Sequence, residues 1–366
     1  MSARIAIACG GTGGHFFPGI AVAGELRAMG HEVMLLLSNK QVDRQAMEPY
    51  KDYLSEYLPA MGWPGLASPK TPLFIFRLAQ TRWQCGRLFK KWVPDAVLGM
   101  GGFVSAVPLM VGRRMGVPTL IHESNTLPGK VTRAMAMRVS RVLLGFGVCA
   151  EHLPGEARKT VTGTPVRPEL GRVSREEACA KFGLDPQRKT LLVMGGSQGA
   201  KALNEATIKS MSFWEGQSRH WQFIHLTGSD DLALVETNYR RARLRARVMD
   251  FCPDMASVYA ASDMAISRSG ASSITELVTC LIPSVLVPYP AAAENHQHSN
   301  ACVMVEAGAA VLVEQDKIKP ELFALQVEQI LNSTEKMSAM RKGCRSVSCQ
   351  ESACKVAAAV LEEMRK

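Results

Sequence analysis

Two stretches in different halves of the chain follow one plan. "IAIACGGTGGH" (5–15) and "TLLVMGGSQGA" (190–200) each run an apolar, strand-like segment into Gly-Gly, a hydroxyl residue, one further residue and Gly, and then into a helical pattern. "GVPTLIHESN" (116–125) and "LIPSVLVPYP" (281–290) form a second matching pair, each a strand opened by a proline after a helix. Short β-branched runs alternating with helical patterns specify parallel strands joined by crossover helices. The repetition predicts two α/β halves in tandem, each a doubly wound parallel sheet, in place of one large sheet.

In a doubly wound sheet, ligands lie at the carboxyl ends of the strands. Every glycine-rich loop of this chain follows a strand, so the loops of each half line one edge, and two such edges facing each other would make a cleft. The boundary is expected near "VTGTPVRPEL" (161–170), where Gly163, Pro165 and Pro168 interrupt regular structure. That divides the chain into 1–163 and 164–345. A last helix, at about 350–365, has a pattern that does not say which half it packs on.

The 366 residues are enough for two such cores, and 47% hydrophobic with 21% charged residues describes a globular protein. The ten cysteines include no C-x-x-C pair. The apolar opening is too short and glycine-rich for a signal peptide, so reduced thiols in a cytoplasmic protein are expected. The longest uncharged run, Ala96 to Gly112, contains four glycines and Pro108. It falls short of the roughly 20 apolar residues of a membrane span. A formal charge of +10 points to an anionic partner: nucleic acid, phospholipid or a phosphorylated small molecule.

Gly10, Gly11, Gly13 and Gly14 allow backbone to approach a ligand, and the following helix N-terminus offers N–H groups to an anion. A tight turn without a ligand would look the same. Three comparable loops (10–14, 99–102 and 195–199) weigh towards phosphate or sugar. The dinucleotide fingerprint G-x-G-x-x-G fails here, since counting from Gly11 puts Phe16 in the third glycine position, which speaks against a nicotinamide enzyme. The P-loop motif fails as well: "LPGKVT" has Val131 where the hydroxyl belongs.

Further along, "SRSGASSITEL" (267–277) reads two ways. It is a pyrophosphate seat at a helix N-terminus with Glu276 on ribose hydroxyls, or a capping box in which Ser273 and Glu276 serve their own helix. His15 can take a proton near neutral pH or simply close its loop. Glu123 and Asn125 end a strand at the ligand edge. Arg167 can neutralise phosphate or be a linker arginine. No Asp-x-Asp pair is present to bring a divalent cation to a diphosphate.

Between Tyr57 and Pro94 there is no acidic residue. The segment interleaves Phe74, Ile75, Phe76, Trp83, Phe89 and Trp92 with Lys70, Arg77, Arg82, Arg87, Lys90 and Lys91. Rings and cations without acids suit an anionic bilayer surface, and the segment is greasier than a groove for nucleic acid requires. A core helix with a basic polar face is the plain alternative.

Taken in order, "GGTGGHFFPGIAVA", "GMGGFVSAVPL", "IHESNTLPGK", "GTPVRPEL", "GGSQGAKALNE", "SRSGASSITEL" and "ENHQHSNA" resemble the MurG family of peptidoglycan N-acetylglucosaminyltransferases, from about Ile5 to Gly308. The resemblance implies a GT-B fold, two Rossmann-like domains facing across a cleft. The N-terminal domain (1–163) would bind acceptor and membrane, the second (164–345) would bind UDP-GlcNAc, and a terminal helix (346–366) would cross back to the first. It implies an inverting transfer of GlcNAc from UDP-GlcNAc to the C4 hydroxyl of the MurNAc of lipid I, giving lipid II at the cytoplasmic membrane face. No bound metal or other cofactor is implied. Anionic inner-leaflet phospholipid is an implied partner, nucleic acid is not, and partners among cell-wall synthesis proteins are left open.

By motif, the resemblance puts Thr12, Gly13 and Gly14 near the donor sugar and the acceptor diphosphate, and Asn125 on the GlcNAc. Arg167 and Ser197 go to the UDP diphosphate and the Cys252 backbone to uracil. Ala271, Ser272, Ser273, Ile274 and Thr275 surround phosphates and ribose, Glu276 holds the ribose hydroxyls, and Gln297 meets the GlcNAc hydroxyls. His15 is the implied general base, with Glu123 its rival or orienting partner. Membrane contact falls to Phe74, Ile75, Trp83, Arg87, Lys90 and Lys91. "HESN" stands where the family often has "HEQN", and His296-Gln297 where a glutamine pair is common. The alternatives are another GT-B enzyme, either a lipid glycosyltransferase or a UDP-GlcNAc 2-epimerase, and a non-catalytic UDP-sugar-binding scaffold.

Overall fold

The apolar runs become two parallel sheets in the computed structural model, which describes residues 2–65, 68–196, 199–349 and 351–365. The described residues form two units. One extends to Arg167 and regains the chain from Cys349 onward; the other is Pro168–Ser348.

The first unit runs β1 (Arg4–Ala8), α1 (Gly13–Ala28), β2 (Glu32–Ser38), α2 (Gln41–Met47), β3 (Leu54–Leu58), α3 (Thr71–Trp92), β4 (Ala96–Gly99), α4 (Gly102–Arg114), β5 (Thr119–Glu123), α5 (Lys130–Met135), β6 (Arg141–Leu144) and β7 (Lys159–Val161). The second runs α6 (Arg175–Phe182), β8 (Lys189–Met194), α7 (Lys201–Ser210), β9 (Trp221–Leu226), α8 (Leu232–Arg241), β10 (Ala246–Met249), α9 (Met255–Ala260), β11 (Met264–Ser267), α10 (Ala271–Thr279), β12 (Ser284–Leu286), α11 (His296–Glu306), β13 (Ala310–Leu312), α12 (Pro320–Leu331) and α13 (Thr334–Val347). The last helix, α14 (Ser352–Met364), belongs to the first unit.

Strand order is β3-β2-β1-β4-β5-β6-β7 in one sheet and β10-β9-β8-β11-β12-β13 in the other. Ile5 lies between Val33 and Ala96, and Leu191 between Phe223 and Met264. Each order reverses once, between β1 and β4 and between β8 and β11. These reversals are the topological switch points at which open α/β sheets bind ligands. The glycine loops after β1, β4 and β8 and the serine-rich loop after β11 all sit there.

Strand β1 alternates large and small. Ile5 and Ile7 face Phe16, Ile20, Val356 and Val360, the layer made by α1 and α14. Ala6 and Ala8 face the α3–α4 layer, where Gly99 and Gly112 let α4 lie against β4: a Cβ at either would come within 2.8 Å of Ser105 or 2.7 Å of Val97. Helix α14 is tied down further by Glu363, buried between Arg141 (2.5 Å) and Arg158 (3.0 Å).

Candidate active site

At the first switch point the chain turns from β1 into α1 through Cys9–Thr12, and a carboxylate from α2 holds that turn. Asp43, almost fully buried, accepts the Gly11 N–H at 2.7 Å, the Ser38 N–H at 2.8 Å and the Ser38 hydroxyl at 2.5 Å. A side chain at Gly10 could not coexist with this arrangement, since its Cβ would lie 2.6 Å from the Asp43 carboxylate and 2.4 Å from the Ser38 nitrogen. Asp43 belongs to no recognisable motif, and the sequence reading missed it.

Gly13, Gly14 and His15 open α1, with the preceding Thr12 in extended conformation and its hydroxyl 3.1 Å from His15 Nδ1. The imidazole lies on the loop after β4. Gly101 and Gly102 both have positive φ (94° and 67°), and a Cβ on either would come within 3.1 and 3.0 Å of the ring. These glycines are therefore the seat of His15. Burial lowers the His15 pKa below the ordinary histidine value, against the opposing pull of the Glu123 and Asp43 carboxylates. A histidine shifted in this direction is neutral near pH 7.

Glu123, at the end of β5 and 5% exposed, is fully engaged. Oε1 accepts the Asn125 backbone and side-chain N–H groups (3.1 and 3.0 Å); Oε2 accepts the Gly129 N–H (2.9 Å) and the Thr132 hydroxyl (2.6 Å). A carboxylate has about four acceptor positions, so this geometry makes Glu123 the organiser of the 124–129 loop and the orienter of Asn125. It is not placed as a base. Neighbouring His122 is locked by Gly163 O (3.0 Å) and Ser124 (3.3 Å). Arg167 stacks 3.8 Å from the Phe17 ring, one turn into α1, so its charge lies by the glycine loop of the first unit.

In the second unit, Gly195 lets the loop after β8 fold against Ala200, with a Cβ only 2.3 Å from that residue, and Gly199 (φ 73°) passes against Thr227 O. Ser197 lies outside the described residues. Beneath the loop, Asn204 donates to Thr227 O (2.9 Å) and Asp231 (2.7 Å), with His225 3.0 Å from its carbonyl oxygen. Burial pushes the His225 pKa down to about 3, so that ring is neutral.

At the second switch point, α10 begins at Ala271 with Gly270 as N-cap and no side-chain cap. This overturns the capping-box alternative: Ser273 is already inside the helix. Glu276 instead points inward and accepts the Tyr259 hydroxyl at 2.9 Å. Ala271, Ser272 and Ser273 form the first turn. Ile274 and Thr275 are engaged within the helix itself. The Ile274 side chain is core and its N–H donates to Gly270 O (3.0 Å), while the Thr275 hydroxyl donates to Ala271 O (2.8 Å). Both support the turn from behind.

Gln297 braces this edge. Its backbone oxygen accepts the Ser269 hydroxyl (2.8 Å) and its side-chain oxygen the Tyr289 N–H (3.0 Å). Asn300, not anticipated, donates to Ser269 O (3.1 Å). Cys252 is buried in the loop after β10, its thiol near Asp254 O (3.5 Å). Among the described residues no group of three or more His, Cys, Asp or Glu is arranged to hold a metal ion.

Helix α3 lies on the first unit with an apolar face in solvent: Ile75 is 59%, Phe76 64% and Trp83 66% exposed. Arg87, Lys90 and Lys91 are exposed beside them, Arg87 stacking on Trp83. A purely core-facing helix would not leave these residues outside. Phe74 is half-buried, edge-on to Trp63 at 5.0 Å. No described helix is long and apolar enough to cross a membrane.

Comparison with known proteins gives concordant matches. Residues 5–144 match the glycosyltransferase family 28 N-terminal domain and residues 190–356 the family 28 C-terminal domain. A UDP-N-acetylglucosamine–N-acetylmuramyl-(pentapeptide) pyrophosphoryl-undecaprenol N-acetylglucosamine transferase of Methylococcus capsulatus is 34% identical over 365 residues, 99% of each chain. Among solved structures, Acinetobacter baumannii MurG superposes with a TM-score of 0.76 at 24% identity, covering 98% of this chain and 99% of that one. A UDP-N-acetylglucosamine 2-epimerase from Listeria monocytogenes, described as putative, reaches 0.73 at 11% identity over 100% and 98% of the two chains, which speaks to the fold alone.

Proposed function

The chain belongs to the MurG family of N-acetylglucosaminyltransferases, and from that premise we propose how its residues carry out the transfer of GlcNAc from UDP-GlcNAc to lipid I. The observation that carries the reading is identity of about one third along essentially the whole of both chains. The epimerase and scaffold alternatives have no such support.

The reaction joins the MurNAc C4 oxygen to the anomeric carbon of GlcNAc. The bond from that carbon to the UDP oxygen breaks, its electron pair leaves with the diphosphate, and the hydroxyl proton must go to a base. We assign that base to His15. In the tautomer we assign, Nδ1–H donates to the Thr12 hydroxyl 3.1 Å away and Nε2 presents a lone pair, while the glycine seat keeps the ring still. The first turn of α1 would take the acceptor diphosphate and Asn125 would meet the GlcNAc, in the orientation Glu123 imposes.

On the second unit, the first turn of α10 and Ser197 would receive the UDP diphosphate; Arg167, a residue of the first unit, would supply a cation against the developing negative charge. Glu276 would hold the ribose, the Cys252 backbone the uracil and Gln297 the GlcNAc hydroxyls. The reaction is proposed to need no bound metal. Peripheral docking on the cytoplasmic membrane face, through the exposed face of α3 and anionic phospholipid, completes the reading.

Transfer of labelled GlcNAc to a lipid I analogue with divalent cations chelated tests donor, acceptor and metal independence together. Product supports all three. Product that appears only when a divalent cation is restored would refute metal independence, and saturable UDP-GlcNAc binding without product would refute the acceptor.

A further inference from the structure

A cavity of about 520 Å³ opens in the first unit among α3, α4 and α5. Such a volume is typical of pockets that enclose a small ligand, roughly 300–1,000 Å³. Trp63, Leu78, Phe103, Met110, Val131 and Met135 give it an apolar lining. Its charged lining residues are Lys130 and Arg138, both cations.

The cavity begins where the candidate acceptor loops end. Phe103 directly follows Gly101 and Gly102, the seat of His15, and Lys130 directly follows Gly129, whose N–H is held by Glu123. From there Phe103, Ala106, Val107 and Met110 recur at i, i+3, i+4 and i+7, a single stripe along α4 leading away from the sheet edge. Ile75, Phe76 and Trp83, the most exposed apolar residues of α3, are not part of the lining, whereas Leu78 of the same helix is.

We propose that this cavity is the subsite for the prenyl chain of the lipid acceptor, holding the isoprene units next to the diphosphate. The assignment rests on the lipid I reading above. A prenyl diphosphate is an anion followed at once by a branched apolar chain. The molecule offers matching surroundings: a glycine loop and helix N-terminus, then a cation, Lys130, then an apolar cavity with a second cation, Arg138, in its lining beyond the last residue of α5. The enzyme thereby draws the first part of the chain out of the bilayer and fixes the direction in which the sugar is presented.

The test is steady-state transfer to lipid I analogues with geranyl, farnesyl and geranylgeranyl chains, below their micelle concentrations and without membranes. Acceptor KM is expected to fall about tenfold or more from the shortest to the longest chain, as filling an apolar pocket predicts. Ala134→Trp, which places an indole in the cavity from an exposed position on α5, is expected to flatten that dependence by raising KM for the long chains. UDP-GlcNAc KM reports that the variant is folded, and Ala106→Leu repeats the test with a smaller intrusion.

A chain-length dependence identical in wild type and both variants, or absent from wild type, would overturn the proposal. So would loss of vesicle binding by Ala134→Trp with chain-length dependence intact, which assigns the cavity to phospholipid acyl chains. A wild type inactive on every analogue overturns the lipid I reading and the subsite with it, a result distinct from flat kinetics in an active enzyme.

Discussion

Asp43→Asn separates a residue that positions the proposed catalytic loop from one that only stabilises the fold. The carboxylate serves three donors, the Gly11 N–H, the Ser38 N–H and the Ser38 hydroxyl, in a nearly water-free site. An asparagine oxygen in the place of Oδ2 keeps those contacts but loses the charge. Its amide group then sits where Oδ1 lies, 3.0 Å from the Gly11 nitrogen, donor against donor.

Hydrogen bonds to a charged group contribute about 1.5–3 kcal/mol and neutral ones about 0.5–1.5, so each bond loses roughly 1 kcal/mol. Three bonds give an upper value of about 3 kcal/mol, since contacts sharing one group are not additive. For a unit of this size each kcal/mol moves Tm by about 2–4 °C, and a loss of roughly 4–10 °C is expected. The kinetic consequence is larger. Gly11 leads directly into Thr12 and His15, and a displacement near 1 Å costs up to about 100-fold in rate. Calorimetry and transfer kinetics at saturating substrates should show kcat down about 10- to 100-fold, with UDP-GlcNAc KM little changed. A full loss of Tm with kcat intact would refute the positioning role.

Replacing His15 with Gln should lower kcat by about 10²–10⁴, leaving UDP-GlcNAc KM within about twofold; the reverse split in the same kinetics would exclude it as base. Because the working form is neutral and burial lowers its pKa, activity should persist below pH 6.5 and fall only as pH drops through that lowered value. The Glu123 charge raises that pKa, so Glu123→Gln should move the acid limb of the kcat–pH profile further down; an unmoved limb would show that Glu123 does not act on the ring. Glu276→Gln should raise UDP-GlcNAc KM about tenfold yet make little further difference with a deoxyribose donor, and equal losses on both donors would rule out a ribose contact. Replacing Arg87, Lys90 and Lys91 together by Gln should remove about 3 kcal/mol of attraction to anionic vesicles, roughly 100-fold in partitioning at low salt; sedimentation unchanged from wild type would exclude α3 as the docking face.

The parts of this protein legible in the sequence are those where backbone needs leave a residue-type signature. Gly101 and Gly102 are required by positive φ and by the ring against them, and Gly10 by the approach of β2, so the loops could be read without knowing their neighbours. Asp43 could not, because its partners meet only when β2 pairs beside β1. Ser273 and Glu276 misled in the opposite sense: a local pattern suggested a helix start with Ser273 as N-cap, but the N-cap is Gly270, three residues earlier, and Glu276 accepts the Tyr259 hydroxyl. Phe74 and Ile75 are adjacent, yet about 100° apart around a helix. Only the packing of Trp63 decides which of them is half-covered.

The two carboxylates near His15 carry a tension that any base in this site must resolve. Burying the ring keeps it neutral, but lowering its pKa also weakens it as a proton acceptor, and the ideal catalytic pKa lies near the working pH. Asp43 and Glu123 both pull the value back up. Neither can itself serve as base without releasing the loop it holds: Glu123 would give up contacts to Asn125, Gly129 and Thr132, and Asp43 those to Gly11 and Ser38. Their negative charge is thus available to the ring only because their hydrogen bonds keep them in place. The bonds that shape the two loops and the field that tunes His15 come from the same two side chains.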